Sequence, residues 1–464
     1  MLFKKSYPVL IIILTLIFSS CSEKISFSIK NEISSADRIE FMYKNGFDST
    51  GKMVVKTSSI RNQKDIFEIV NTVSDEPFPY QYCISTSYEL RFTSYKQRKI
   101  SFIQKIYFLI ITKTFKKQKL NIMISFKYEL EKKEPKILPG GITRGASVVD
   151  FPASVGIAGV SMRLESGGMR ELHWHANAAE WGYVIKGSCR TTILHPDGTS
   201  FIDTFDPGDV WYFPRGYGHS IQGISDEECH FILIFDNGDF SEDHTFSITD
   251  FIASTPPEIV AQNLGITLDE VGMLPKREVY FAKGKVPDDQ SFTSASVSDP
   301  ELTTKHRYPL LAQEPRRVPG GGTQKTVTQK EFPISKTMAG SVLEIQPGGL
   351  REMHWHPNAD EWQYYIQGKA QMGVFLAQGN KVIEDFNEGD IGYVPMGAGH
   401  YIKNTGDEVL IVLVGFNDGD YLALDLSDWL RSNPDSLLQT NFEVGEDLIK
   451  KFPKENKFII PSNK

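Results

Sequence analysis

The chain has 464 residues but only four cysteines, Cys21, Cys83, Cys189 and Cys229. So few, so spaced, they give no disulfide framework. Cys189 and Cys229 lie in apolar, strand-like stretches, which leaves two readings: buried thiols, or one bridge in an oxidising compartment. Membrane-length apolar runs are also missing near the N-terminus, since the stretch from Val9 to Phe18 is too short to span a bilayer. Acidic residues are absent from Arg91 to Lys127, where ten Lys or Arg occur although the whole chain carries a net charge of -8. Neither a base-stacking array nor a nucleic-acid-binding motif accompanies that run, so it reads as a solvated face or tail and nucleic acid is not expected as a partner. Histidine is scarce as well, at ten.

Aromatics and glycine are plentiful (30 Phe, 18 Tyr, 6 Trp, 37 Gly). Short apolar segments alternate with turn residues, and together these features favour strands, so the chain reads as mostly β. At the N-terminus Lys4 and Lys5, the apolar stretch and Ser19-Ser20-Cys21 form an export signal. Small residues before a cysteine match a bacterial lipoprotein cleavage box, with Cys21 lipidated; the alternative is an ordinary cleaved signal with an incidental cysteine. On the first reading residues 1–21 are the signal and the mature protein is exported, anchored at a periplasmic or cell-surface membrane. Residues 22–125 carry no motif and form an extension of unassigned fold, with candidate strands at Ile39–Gly46 and Val54–Ser59.

The remainder is a duplication. Gly167, His173, Trp174, His175, Glu180 and Gly187 recur 181 residues later as Gly348, His354, Trp355, His356, Glu361 and Gly368. His219 and His400, each following a Gly-Asp turn, keep the same offset, so six of the ten histidines fall into two equal sets. Leu138-Pro139-Gly140-Gly141 answers Val318-Pro319-Gly320-Gly321, which makes the repeat domain-deep. Strands are expected at Trp181–Ile185, Cys189–Leu194, Trp362–Ile366 and Ala370–Phe375, and helices over Ser247–Ala253, Pro257–Asn263, Leu426–Ser432 and Asp435–Gln439. The divisions are 126–264 and 311–442 for the two repeats, 265–310 for a surface connector and 443–464 for a tail. Residues two apart on a strand share a face, so His173 and His175 aim at one point, as do His354 and His356. Glu180 and His219, or Glu361 and His400, complete sets of three imidazoles and a carboxylate, which hold a divalent first-row metal and leave positions open. His195, His230, His244 and His306 have no repeat partner.

The spacings Gly-x5-His-x-His-x4-Glu-x6-Gly and Gly-x5-Pro-x-Gly-x2-His resemble the two motifs of the cupin superfamily, intact in both halves. Within it, Arg170-Glu171-Leu172-His173-Trp174-His175 and Arg351-Glu352-Met353-His354-Trp355-His356 are similar to the bicupin oxalate decarboxylases. The resemblance implies an all-β fold: two jelly-roll sandwiches with a few short helices. It implies Mn(II) in each, two per chain, and a dioxygen-dependent split of oxalate into formate and carbon dioxide, by a homo-oligomer. It places Arg170 beside the first metal as a carboxylate clamp, Arg351 being its match, though either also fits a structural ion pair. It makes Glu242, in a lid spanning Ser241 to Thr245, the proton shuttle, with Thr245 positioning the closed lid. Two departures stand out: His244 replaces a small hydroxyl residue in the lid, and Val414 stands where some decarboxylases have a second glutamate. Turnover is therefore expected at the first site. Trp174 and Trp355 fit either sheet packing or electron transfer between cupins. Alternatives are an oxalate oxidase producing peroxide, a storage bicupin, and an isomerase or dioxygenase acting on another small acid.

Overall fold

A computed structural model describes residues 125–241, 245–288 and 305–462, together with the backbone of four strands nearer the N-terminus. The chain divides into two units, residues 1–121 and 122–464. In the first, Lys24–Ser28 pairs antiparallel with Arg38–Met42, and Ile66–Val70 with Glu89–Thr93. The expected strand at Val54–Ser59 and the signal with Cys21 lie outside the described residues.

The second unit is two jelly rolls. Each has a seven-stranded sheet facing a six-stranded one, all pairings antiparallel. In the first cupin the larger sheet is built on Glu180–Lys186, flanked by Asp209–Phe213 and Cys229–Phe235. The smaller runs from Ser200–Phe205 through Cys189–Leu194 and Gly218–Gly223 to Gly168–Trp174. The second cupin repeats this with Glu361–Gln367 between Ile391–Val394 and Leu410–Phe416, and with Ala370–Phe375, Gly399–Asn404 and Leu350–Trp355.

Along Glu180–Lys186, alternate side chains enter the sandwich or the other cupin. Both faces are thereby covered, so this strand lacks the polar outer face that a solvated antiparallel sheet would show. Trp181 lies on Gly340 of the second cupin and Trp362 on Gly159 of the first; a Cβ would come within 2.5 Å and 2.1 Å of the respective rings. Both indoles are fully buried. One apolar core accordingly continues across the two domains, including Trp181, Ile232 and Ile234 from one and Trp362, Leu413 and Phe416 from the other.

The helices fall at Ile248–Ala253, Pro257–Leu264, Leu426–Arg431 and Asp435–Phe442, with further short ones at Leu268–Met273 and Glu446–Ile449. Ser247 caps the first through a hydrogen bond from the Asp250 amide.

Four segments pair outside the divisions read in the sequence. Lys127–Tyr128, placed in the first repeat, pairs with Ile391–Val394 of the second, while Arg307–Pro309, placed in the connector, pairs with Asp209–Phe213 of the first. Each cupin thus lends a strand to its neighbour. Phe281–Lys283, also placed in the connector, joins the ligand strand Gly168–Trp174. The tail likewise returns, with Ile459–Ile460 pairing to Leu350–Trp355. The reason is common to both: an open strand edge takes up a passing segment whose aromatic residues, Tyr280 and Phe281 or Phe458, can be buried beside it.

Candidate metal centres

His173 is the next-to-last residue of the strand Gly168–Trp174 and His175 directly follows that strand, Glu180 opens the next strand, and His219 pairs with His173 across the sheet. One ligand atom from each of these four residues lies within 4.8 Å of every other, and the same holds for His354, His356, Glu361 and His400. All eight side chains are buried. Glu180 Oε2 is 2.9 Å from His175 Nε2 and 3.4 Å from His219 Nε2. The second set is tighter, with Glu361 Oε2 2.7 Å from His356 Nε2 and 3.1 Å from His400 Nε2.

Hydrogen bonds behind the imidazoles set which nitrogen faces inward. Nδ1 of His173 donates to the Glu171 carbonyl at 2.5 Å, and Nδ1 of His219 to the Tyr217 carbonyl at 2.9 Å. His354, His356 and His400 do the same to the carbonyls of Glu352, Leu422 and Ala398. Each therefore presents the Nε2 lone pair to the centre, the arrangement that metal-bound histidines use. His219 Nε2 is buried and makes no hydrogen bond among the described residues, so the cluster leaves a donor atom for a cation to satisfy. Burial, and then the charge of Arg170, hold the His173 imidazole well below its usual range; burial and Arg351 do so for His354. Burial pushes the carboxyls of Glu180 and Glu361 up, but the neighbouring histidines more than offset it and keep both ionised. Neutral imidazoles and a carboxylate are the forms a divalent metal binds, so the residues present fit one ion per cupin.

A backbone irregularity brings Arg170 to this face. Strict alternation would put it opposite His173, but Ile221 pairs with Arg170 and His219 with His173, so the ligand strand carries one extra residue. The same bulge lies between Arg351 and His354. Arg170 is 1% exposed, stacks over the Tyr280 ring at 3.9 Å and donates to the Tyr280 carbonyl at 3.4 Å. Arg351 makes the matching contacts with Phe458 at 4.5 Å and 3.1 Å.

Sequence reasoning gave no role to the glutamate after each arginine. Glu171 accepts from the Thr249 hydroxyl at 2.6 Å and the Tyr280 amide at 2.5 Å; Glu352 accepts from the Ser427 hydroxyl at 2.8 Å and the Phe458 amide at 2.6 Å. These buried carboxylates tie the aromatic that backs each arginine to the ligand strand. Their recurrence at the common offset was the available signal.

Glu242 and His244 lie outside the described residues. Thr245 is described, and its hydroxyl is buried with no hydrogen-bond partner among those residues. Trp174 stacks on Phe246 at 5.4 Å, and Trp355 meets Trp429 at 5.4 Å. Cys189 and Cys229 are buried free thiols. His195 and His306 pair through their Nε2 atoms at 2.8 Å, and His230 bonds Ser161. A cavity of about 340 Å³ opens onto the second ligand set and is bordered by Val414, Phe416 and Tyr421.

The cupin family model matches residues 128–272 and 308–450. The chain is 40% identical over 336 residues to oxalate decarboxylase OxdC of Bacillus subtilis (strain 168), covering 72% of this chain and 86% of that one. It is 34% identical over 351 residues to a probable oxalate decarboxylase of Arthroderma benhamiae, covering 72% and 83%. A solved structure of the Bacillus subtilis enzyme at pH 4.6 superposes with a TM-score of 0.69 at 40% identity, covering 73% of this chain and 88% of that one. Another, at the same score and identity and covering 73% and 89%, was determined in a study of that enzyme's Mn(II) centres.

Proposed function

The chain is a bicupin of the oxalate decarboxylase family, and on that premise we propose that it splits oxalate into formate and carbon dioxide at its first cupin, with Mn(II) in both cupins and dioxygen as co-catalyst. The observation that carries this is the convergence of His173, His175, Glu180 and His219 with a buried arginine on the same strand face. Nitrogen-rich sites do not select Mn(II) by affinity, so supply during folding decides occupancy.

When bound, the metal with dioxygen supplies a reversible one-electron exchange with the substrate. The chain supplies position and protons. Arg170, held flat by Tyr280, presents a planar fork that fits a carboxylate in two-point contact. Glu242 acts as the general acid: breaking the carbon–carbon bond releases carbon dioxide, and the carbon left behind takes the proton that completes formate. Oxalate dianion and one proton thus give formate and carbon dioxide, with no net oxidation. Thr245 helps position the closed lid. If the proton is not delivered, further oxidation competes and the products become those of an oxidase.

We also propose that the mature protein is exported and anchored through Cys21, as the N-terminal sequence suggests. Labelled palmitate incorporated by the native chain and lost in Cys21→Ala supports this; a soluble mature protein beginning elsewhere contradicts it.

Product stoichiometry tests the catalytic reading. Metal-replete protein given oxalate and dioxygen should yield formate equal to carbon dioxide with little peroxide. Two carbon dioxide and one peroxide would make it an oxidase; no turnover with both metals bound would remove oxalate as the substrate.

A further inference from the structure

Beside its metal ligands the second cupin carries a buried acid, Asp425. Asp425 lies opposite His354 in the register, where the first cupin sets Ser247 opposite His173. Its carboxylate meets the Arg351 guanidinium at 2.8 Å, and the two side chains are only 7% and 5% exposed. The other carboxylate oxygen accepts from the Asn456 amide at 3.0 Å, while Arg351 also donates to the Phe458 carbonyl at 3.1 Å. The guanidinium is thus held on two sides.

Both partners face the cavity of about 340 Å³ that reaches His354, His356 and Glu361. A dicarboxylate entering there would have to displace Asp425 from Arg351 and then keep its own carboxylate beside the displaced one. In a site removed from water, that like-charge contact costs more than the guanidinium contact returns. The other arginines of the cavity are engaged too: Arg431 with Asp428 at 2.7 Å, and Arg316 with the Asn456 side chain at 2.8 Å and over the Phe458 ring at 3.6 Å.

We propose that Asp425 is a specificity-determining residue that shuts dicarboxylates out of the second cupin and so confines oxalate to the first. The assignment rests on the reading of the first cupin as the oxalate site. It gives the duplicated ligand set a reason to bind metal twice and substrate once.

The test is a calorimetric titration of the metal-replete full chain with oxalate under anaerobic conditions, so that binding is counted without turnover. Two variants are compared with the native chain, and metal content is measured in each. Asp425→Asn removes the charge and keeps the volume; Asp425→Ser installs the residue of the first cupin. One oxalate per chain in the native protein and two in both variants, with two metals throughout, is expected. Two oxalates in the native chain, or one in Asp425→Asn with both metals in place, would overturn the assignment. No binding by the native chain would instead remove the oxalate reading of the first cupin, and this inference with it.

Discussion

The two cupins hold the same four ligands, and what surrounds those ligands differs. Glu180 Oε1 takes a hydrogen bond from the Trp211 indole at 2.8 Å, whereas Glu361 Oε1 takes one from the Gln363 amide at 2.6 Å. The exchange is a paired one. Gly182 leaves room for Trp211 in the first cupin, and Gly392 leaves room for Gln363 in the second. Five residues, 241–245, separate Phe240 from Phe246 in the first cupin, but only Leu422 and Ala423 separate Tyr421 from Leu424 in the second. The short crossing is tied down, since the Leu422 carbonyl takes the His356 Nδ1 proton at 2.7 Å. Asp425 then stands where Ser247 does. Metal binding depends on the four ligands, which both copies keep; on the proposed reading, substrate binding and protonation depend on the segment after Phe240 or Tyr421 and on the residue opposite the first ligand histidine, and there the two copies differ.

The strongest way to break this comparison is to remove ligands from the first cupin. His173→Ala with His175→Ala should abolish oxalate turnover while one metal per chain remains; formate release at an unchanged rate would show that the second cupin turns over. Replacing the lid acid is the next largest effect. Glu242→Gln should lower formate production by about 10²–10⁴-fold, the usual worth of a positioned general acid, with peroxide rising relative to formate. Equal formate from the variant would assign the proton to another group.

Stability against pH should also separate the two halves. Burial, first of all, lowers the His306 imidazole from 6.5 to about 4, and it shares the His195 contact at 2.8 Å. Between those values the unfolded chain binds more protons at this residue than the folded one. Stability therefore falls as pH drops from 6.5 through about 4, and does not fall further on this account below it; the loss is at most about 3 kcal/mol. The second cupin has Leu376 and Phe126 at the matching places. His195→Leu with His306→Phe should flatten the dependence of unfolding temperature on pH between 4 and 6.5, and an unchanged slope would rule out the pair as its source. The smallest effect is the converse of the Asp425 exchange. Ser247→Asp retains a good helix cap and should raise the KM for oxalate about tenfold, or about 1.4 kcal/mol; an unchanged KM would show that an acid at this register position does not reach Arg170.

Ligands are legible in a sequence when fixed short spacings place them on one strand face and a duplication repeats them. His173, His175 and Glu180 meet that condition, and the offset extends it to His219. The mostly β class, the jelly rolls and the paired helices after each repeat followed from alternation, turns and the cupin resemblance. Arg170 was reached by resemblance alone, because period-two reasoning sends it to the wrong face until the bulge is known. The exchanged strands Lys127–Tyr128 and Arg307–Pro309 were not legible, since two or three residues carry no periodicity and their partners lie in the other domain. Asp425 escaped for a different reason. The 181-residue offset shortens to 178 after the lid, so a fixed comparison sets Asp425 against His244 instead of Ser247.

The most direct test of the division between the cupins is turnover by a chain carrying His354→Ala and His356→Ala, with metal measured and formate counted per first-site ion. Retained formate production, with one metal per chain, is the predicted result. Loss of all turnover while the fold and the first metal remain would contradict it and make the second cupin part of the catalytic machinery.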